Sequence, residues 1–285
     1  MIVFGLLNGT AYGLLLFLLA SGLTLVFGML GVLNLAHASF YMLGAYLAFE
    51  AVRLTSSFWV ALFAAPLIVA AIGGLIERVL LRKVHVLGHG HQLLLTLGVS
   101  YIVLEVAKWV WGTASLPLRP PEILRGSVAL LVGGYPVYRL FICVAALAVL
   151  AVLALVLFKT RLGMIVRAAV SDSEMVGALG YDVGKVFTGV FAMGALLAGL
   201  AGVIAAPMLS VYPGMANDIL VDLFIVVVIG GLGSLRGALV ASLLLGWVQS
   251  FGVLFLPDFA MLFSFVLMAL VLLWRPFGLF GERGA

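Results

Sequence analysis

Long apolar runs separated by short polar segments dominate the sequence. No Asp, Glu, Lys or Arg occurs before Glu50, and one helix of that length would far exceed the ~30 Å hydrocarbon core of a bilayer at about 1.5 Å per residue. Gly28, Gly31 and Asn34 mark a break within this stretch. We therefore expect one helix near 3–27 and a second near 36–52.

Further apolar runs of about the length that a membrane helix needs follow to the end of the chain. They lie at about 58–76, 92–111, 138–158, 186–209, 219–232, 237–256 and 258–274. The run at 219–232 is short and leads into Gly230, Gly231, Gly233 and Ser234, where the glycines predict a turn or a broken helix. The pattern predicts an all-α, polytopic transmembrane bundle of about 8–9 membrane segments, some short or broken, that forms a single domain over residues 1–285.

Basic residues between the apolar runs predict the orientation. Ten of the fifteen Lys and Arg residues lie in 77–91, 159–185, 233–237 and 275–285, and these segments are expected to face the cytoplasm. The amino terminus is then outside and the carboxyl terminus inside, which requires nine crossings, or eight if one short segment is re-entrant. The longest outer segment, 112–137, is rich in proline and is expected to be an irregular cap.

Composition excludes several classes of protein. Hydrophobic residues make up 65% of the chain, charged residues 9%, and the mean hydropathy is +1.33, values that do not fit one soluble core. The formal charge of +4 comes without a Lys/Arg-rich patch, so no nucleic-acid partner is expected. Cys143 is the single cysteine and allows no intrachain disulfide. Because the first basic residue is Arg53, the charged start of a cleavable signal peptide is missing, and we expect the first segment to be retained.

Polar residues at membrane depth are the first candidates for a solute pathway. Asn34, His37, Ser39 and Tyr41 lie beside the predicted helix break, and polar groups there need partners or water. The alternative is that Asn34 and His37 only satisfy nearby backbone and a neighbouring helix. The glycine-rich turn at 230–234 is the second candidate part of the pathway.

A short polar segment between two spans predicts a cytoplasmic helix of about two turns near 172–179. Ser171 and Glu174 have the spacing of a capping box, and Gly180 suits a carboxyl-terminal cap. This helix either lies on the lipid surface or docks on a partner protein. The docking hypothesis assigns contact with the partner to Arg167, Ala168, Asp172, Glu174, Met175, Ala178, Leu179 and Gly180.

Rows of small residues and two pairs of charged residues predict contacts between and within helices. Gly5, Gly9 and Gly13, like the row Gly194, Ala198 and Gly202, have the spacing that lets membrane helices pack closely. Asp218 and Asp222 share one helix face and are expected to be capping or dipole partners, with an acidic mouth as the alternative. Glu105 and Lys108 are expected to form an ion pair.

Motifs for enzymatic chemistry are missing from the sequence. No G-x-x-x-x-G-K-[ST] phosphate loop, H-E-x-x-H or G-x-S-x-G occurs. His85, His89 and His91 have loose metal-ligand spacing without any Cys or acidic residue beside them, so we expect a soluble loop and no metal. The chain is therefore not expected to be an enzyme or to bind a cofactor, and any ATP must be bound by another polypeptide.

Four segments together resemble the LivH-type permeases of branched-chain amino-acid ABC importers. They are Asn34–Tyr46, Arg161–Gly180, Gly230–Ala238 and Arg275–Leu279, in the same order over nearly the whole chain. The family commonly has Gly and an acidic residue after the histidine of the first motif, whereas Ala38 and Ser39 follow His37 here. Related permeases carry urea, amides or aromatic carboxylates, so the solute stays open.

The resemblance implies an importer subunit of the bacterial inner membrane without catalytic groups of its own. Its partners would be a LivM-type second permease subunit, two cytoplasmic ATPases that bind ATP and Mg, and a periplasmic solute-binding protein. The segment near 168–180 would be the coupling segment that contacts an ATPase, within a cytoplasmic loop at about 159–185. A secondary transporter driven by an ion gradient is the alternative, because broken helices suit that class equally well.

Overall fold

The computed structural model describes residues 1–31, 33–130 and 133–281. Eleven α-helices of six or more residues form most of this part: α1 (Ile2–Leu30), α2 (His37–Thr55), α3 (Phe58–Ile76), α4 (His89–Trp111), α5 (Val137–Lys159), α6 (Arg161–Ser171), α7 (Ser173–Ala178), α8 (Val183–Leu209), α9 (Met215–Gly230), α10 (Leu235–Phe255) and α11 (Ala260–Trp274). Shorter elements are a π-helical turn (Glu77–Leu81), a helical turn (Arg82–Val84), 3₁₀ turns (His85–Leu87, Glu122–Leu124, Pro257–Phe259) and strands β1 (Ser127–Leu130) and β2 (Gly133–Pro136). The end of the predicted cytoplasmic segment 275–285, including Arg283, lies outside the described residues.

The nine longer helices correspond to the nine predicted apolar runs, with ends shifted by a few residues. Within the described residues, seven helical segments are long and apolar enough to cross a membrane. The exceptions are α2, which carries more polar residues, and α9, which has only 16. An all-α polytopic membrane bundle is therefore confirmed.

The loop predicted around His85, His89 and His91 is largely helical in the structure. From the end of α3 the chain continues as helix through the π-helical turn to Val84, and α4 begins at His89. The physical reason is that 77–84 contains good helix formers and no glycine or proline before Gly88 ends the run.

The segment at 112–137 is less irregular than predicted. Strands β1 and β2 form an antiparallel hairpin in which Val128 faces Tyr135. Leu116 also forms an isolated bridge with Val211, with N–O distances of 2.8 and 2.9 Å between the two backbones. The described part of this cap is therefore tied to the connection between α8 and α9.

Helices α1, α2 and α8 form the centre of the bundle, while α4, α5 and α11 face outward. Small residues allow the central helices to touch. A Cβ on Gly13 would lie 2.7 Å from the Ser242 carbonyl oxygen, and one on Gly202 would lie 1.9 Å from the Tyr41 carbonyl oxygen. The predicted rows of small residues thus pack within the chain.

The connections between helices lie at two opposite ends of the bundle. The amino end is the one near the start of α1, and the carboxyl end is the one near the last described residues. At the amino end, Phe4 packs on Tyr135 of β2 with ring centroids 6.1 Å apart, and the bridged connections described above lie beside it. At the carboxyl end, Arg82 donates to Thr188 at the start of α8, 3.0 Å away, and the turn after α9 meets the last described residues. This is the grouping of segments that the loop charges predict.

Candidate functional site

Leu35 and His37, at the start of α2, lie inside the bundle and not at its carboxyl end. Leu35 donates its backbone N–H to Thr96 Oγ1 of α4, 3.3 Å away. His37 Nε2 lies 3.0 Å from the carbonyl oxygen of Leu19, which is roughly 16 Å from the end of α1 at 1.5 Å per residue. Helix α2 therefore begins deep inside the protein.

The polar residues predicted there for a solute pathway are all buried. Asn34, His37, Ser39 and Tyr41 are at most 3% exposed. Ser39 Oγ lies 2.9 Å from Ser100 Oγ of α4, and Asn34 Oδ1 accepts from the backbone of Ala36 at 3.1 Å. These bonds fit the alternative in which the segment satisfies nearby backbone and a neighbouring helix.

Several polar atoms in the same region have no hydrogen-bond partner among the described residues. They include Asn34 Nδ2, His37 Nδ1 and Tyr41 Oη, together with Thr24 Oγ1 on α1. A polar atom buried without a partner is costly and needs an explanation such as water or a ligand. None of the four predicted residues lines either of the two pockets described below.

The glycine-rich turn after α9 is held against the last described residues. Gly231 and Gly233 adopt positive φ angles of 95° and 81°, which favour glycine. Gly230 accepts a backbone hydrogen bond from Phe280 at 3.1 Å, and Ser234 Oγ caps α10 by accepting from Gly237 at the same distance. The residues at the end of the Arg275–Leu279 motif and directly after it thus pack on this turn.

A small pocket of about 190 Å³ opens at the carboxyl end, between α1, α5, α6 and α10. It brings together two of the predicted residues, Gly233 of the turn and Arg167 of α6. Thr24, whose hydroxyl has no partner in the described chain, also lines it. One residue predicted for the solute pathway and one predicted for contact with an ATPase therefore line the same pocket.

The predicted cytoplasmic helix is present as α7, but its cap differs from the prediction. Helix α6 continues to Ser171, so the capping box predicted for Ser171 and Glu174 is wrong. Asp172 has an extended backbone, and its Oδ1 accepts from the Met175 N–H at 2.8 Å. At the other end Gly180 has φ 89°, and the chain closes with the hydrogen-bond pattern of a Schellman motif, as predicted.

Helix α7 has one buried side and one exposed side. Val176 is 4% exposed and packs in a cluster with Met29, Ala169 and Val190. Met175 and Leu179 are 57% and 70% exposed. The remaining predicted contact residues are also exposed and are Arg167, Ala168, Asp172, Glu174, Ala178 and Gly180.

Helix α8, like α7, has an aspartate as its N-cap residue. Asp182 Oδ1 accepts from the backbone of Lys185 at 3.1 Å, and its carboxylate also pairs with the Lys185 ammonium at 3.2 Å. This backbone hydrogen bond, followed by the side-chain contact, lowers the pKa of the Asp182 carboxyl. The negative charge complements the positive end of the α8 dipole.

A cleft of about 700 Å³ lies at the amino end, between α1, α5, α8 and α10. Its polar lining consists of Asn8, Tyr12, Arg139, Gln249 and Ser250. Its apolar lining includes Met1, Phe4, Met208, Val253 and Leu254. Pockets that bind small molecules have this volume and this mixture of a mostly apolar wall with a few polar groups.

Asp222 of α9 lies directly behind this cleft. Its carboxylate accepts from Tyr12 Oη and from Gln249 Nε2, both at 2.7 Å. The expectation that Asp222 would be a capping or dipole partner was therefore wrong, because it bonds to side chains of α1 and α10. Asp218, one turn earlier, accepts from the Tyr212 hydroxyl, and this bond together with burial raises the pKa of Tyr212 to about 12.

Comparison with known sequences decides the family. The family described as branched-chain amino acid transport system, permease component, matches residues 5–272. The chain belongs to this permease family. No solved structure gave a significant match.

Curated relatives of the permease cover nearly the whole chain. The high-affinity branched-chain amino acid transport system permease protein BraD of Pseudomonas aeruginosa is 31% identical over 97% of this chain and 95% of its own length. LivH of Escherichia coli is 29% identical over 96% and 94%, respectively. A probable LivH of Methanocaldococcus jannaschii is 28% identical over 95% and 90%.

Sequence reasoning missed the polar lining of the permease's amino-end cleft. Asn8 and Tyr12 stand in an apolar run without charges, and Gln249 stands in another. The available signal was the placement of polar residues within spans, since such residues are expensive in a bilayer. Which of them face one another follows only from helix packing.

Proposed function

We propose that this permease imports branched-chain amino acids or a related small solute as one membrane subunit of an ATP-binding-cassette importer in a bacterial inner membrane. The observation that carries the proposal is α7, a short helix anchored by Val176 that exposes Met175 and Leu179 at the carboxyl end. Exposed apolar side chains on an anchored helix suit docking on a partner protein. The near full-length likeness to BraD and LivH supports the solute class.

The partners of the proposed importer follow from the chemistry that this chain lacks. Its sequence has no phosphate loop, so ATP and Mg would be bound by two cytoplasmic ATPases that dock near α7. A second, LivM-type permease subunit and a periplasmic solute-binding protein would complete the complex. Alternating access would then follow ATP binding in the partners, with the amino end outside and the carboxyl end in the cytoplasm.

A secondary transporter is the second candidate, and the start of α2 is the observation that favours it. Helices that begin near the middle of the membrane are common in ion-driven transporters, where they form solute and ion sites. The two candidates differ in their energy source. An ion-driven transporter needs a gradient and no ATPase.

Reconstitution separates the two candidates. The chain is placed in liposomes alone or with its permease partner, ATPases and binding protein, and uptake of radiolabelled L-leucine is measured with internal ATP or with a proton or sodium gradient. We expect uptake only with the complete set and ATP. Uptake by the chain alone under an ion gradient would establish the secondary transporter instead.

A further inference from the structure

Arg139 lines the amino-end cleft and Asp222 lies behind its lining residues Tyr12 and Gln249. Neither charge has a salt-bridge partner among the described residues. Arg139, the third residue of α5, donates to Asn8 Oδ1. Asp222 accepts from the neutral groups of Tyr12 and Gln249. Charges at membrane depth normally pair with one another or face a water-filled cavity, and an unpaired one marks a functional site by default.

The two charges are held by neighbouring residues of one helix. Asn8 contacts the cation and Tyr12 contacts the anion, and these residues are four apart on α1. Residues at this spacing lie on the same helix face with Cβ atoms about 5–6 Å apart. One turn of α1 therefore carries a positive site beside a negative site.

Both charged groups have hydrogen-bonding capacity left. A guanidinium has five N–H donors in a fork that matches a carboxylate, and Arg139 uses one of its donors on Asn8. A carboxylate has about four acceptor positions, and Asp222 uses two. The free donors suit a carboxylate, and the free acceptors suit an ammonium group.

The rest of the cleft lining is mostly apolar. Phe4, Met208, Val253 and Leu254 line it beside the polar groups, and Val253 is 61% exposed there. An apolar wall of this kind would bind an aliphatic chain by excluding water from it. The cleft thus combines a positive site, a negative site and an aliphatic surface.

We propose that this cleft binds the zwitterion of an aliphatic α-amino acid, with the carboxylate on Arg139 and Asn8, the ammonium group towards Asp222 and Tyr12, and the side chain on the apolar wall. The inference rests on the proposed function and names the place in this chain where the solute binds. Because the cleft lies at the amino end, it would be the first site that a solute meets on entering the permease from outside.

Protection from alkylation tests binding without requiring transport. In the assembled complex in lipid nanodiscs, Cys143→Ser removes the native thiol and Val253→Cys places a reporter on the cleft wall. We expect saturating L-leucine to slow maleimide labelling at least threefold. We expect 4-methylpentanoate, which lacks the ammonium group, and 3-methylbutylamine, which lacks the carboxylate, to protect at least tenfold more weakly.

Charge-neutralising variants assign the two ends of the solute. Arg139→Gln and Asp222→Asn should each raise the L-leucine concentration needed for protection at least tenfold. Arg125→Gln and Asp258→Asn neutralise exposed charges at the same end of the bundle and should leave it unchanged. If a neutralising variant does not assemble, Arg139→Lys and Asp222→Glu keep the charge, and a smaller loss of affinity is expected.

Four results would overturn the proposal. These are no protection by L-leucine, protection by both singly charged analogues equal to that by L-leucine, unchanged protection in both neutralised variants, and a reporter that is unreactive in the complex without solute. Equal protection would leave a nonspecific apolar cleft, and an unreactive reporter would make the cleft a subunit interface. The proposed function fails separately, if the wild-type complex with ATP accumulates no branched-chain amino acid.

Discussion

The start of α2 and the short helix α7 were both predicted from sequence to act in transport, yet the structure places them in opposite surroundings. At α2, His37 and Ser39 are at most 1% exposed and surrounded by other helices. At α7, Met175 and Leu179 are more than half exposed. Variants at the first place should alter folding, whereas variants on the exposed side of α7 should alter only communication with a partner.

The largest effect is expected where α2 crosses α8. Gly202→Leu would push a side chain into the Tyr41 backbone, whose carbonyl oxygen is already 1.9 Å from where a Cβ would stand. Because backbone cannot move aside as a side-chain tip can, we expect no monodisperse protein after detergent extraction. Gly189→Leu, on the same helix with nothing within 4 Å of its Cβ position, is the matched control. Similar yields of both variants would show that this crossing does not limit folding.

A smaller loss is expected from emptying the buried site of His37. The variant His37→Ala should lower the free energy of unfolding by roughly 2–5 kcal/mol, the range for removing a large buried side chain. The loss would appear as a lower melting temperature in detergent, together with lower uptake. His91→Ala, at an exposed position in α4, should change neither. Lost uptake with an unchanged melting temperature would instead support a pathway role for His37.

A substitution on the buried side of α7 should lower the free energy of unfolding by a still smaller amount. Val176→Ala removes about two methylene-sized groups from a buried cluster and should cost ~1–2 kcal/mol at ~0.8 kcal/mol for each group. Thermal unfolding of the purified chain measures it. Local hydrogen exchange should also rise over 173–181, because the anchor of α7 is weakened. No change in either quantity would mean that α7 is held in place by its caps alone.

Substitutions on the exposed side of α7 should have almost no effect on the stability of the chain. Met175→Ala and Leu179→Ala should leave the melting temperature of the chain unchanged, since both side chains face outward. Solute-stimulated ATP hydrolysis by the assembled complex should fall severalfold, because an interface anchor can be worth on the order of 2 kcal/mol or more. Leu94→Ala, which is 70% exposed on α4, is the control for loss of an exposed apolar side chain. Normal assembly and normal stimulated hydrolysis in both variants would remove the case for coupling through α7.

Local sequence patterns were sufficient to predict the class of fold, the approximate helices and the caps of α7 to within one residue. Span length and apolar content depend on bilayer thickness, and caps depend on a few adjacent residues, so local information is sufficient for both. The predicted ion pair is present for the same reason, because Glu105 and Lys108 lie on one helix face with a 2.7 Å contact.

Which polar residues share a cavity depends on long-range packing between helices. Asp222 and Tyr12 are 210 residues apart in sequence, and Arg139 lies 131 residues from Asn8. His37 is also a polar residue within the bundle, yet it is buried and lines neither pocket. No local sequence feature distinguishes it from the residues that line the cleft. The difference arises because each helix presents one face to its neighbours, and the rotation that chooses that face depends on close contacts such as Gly9 and Gly13 of α1 against α10.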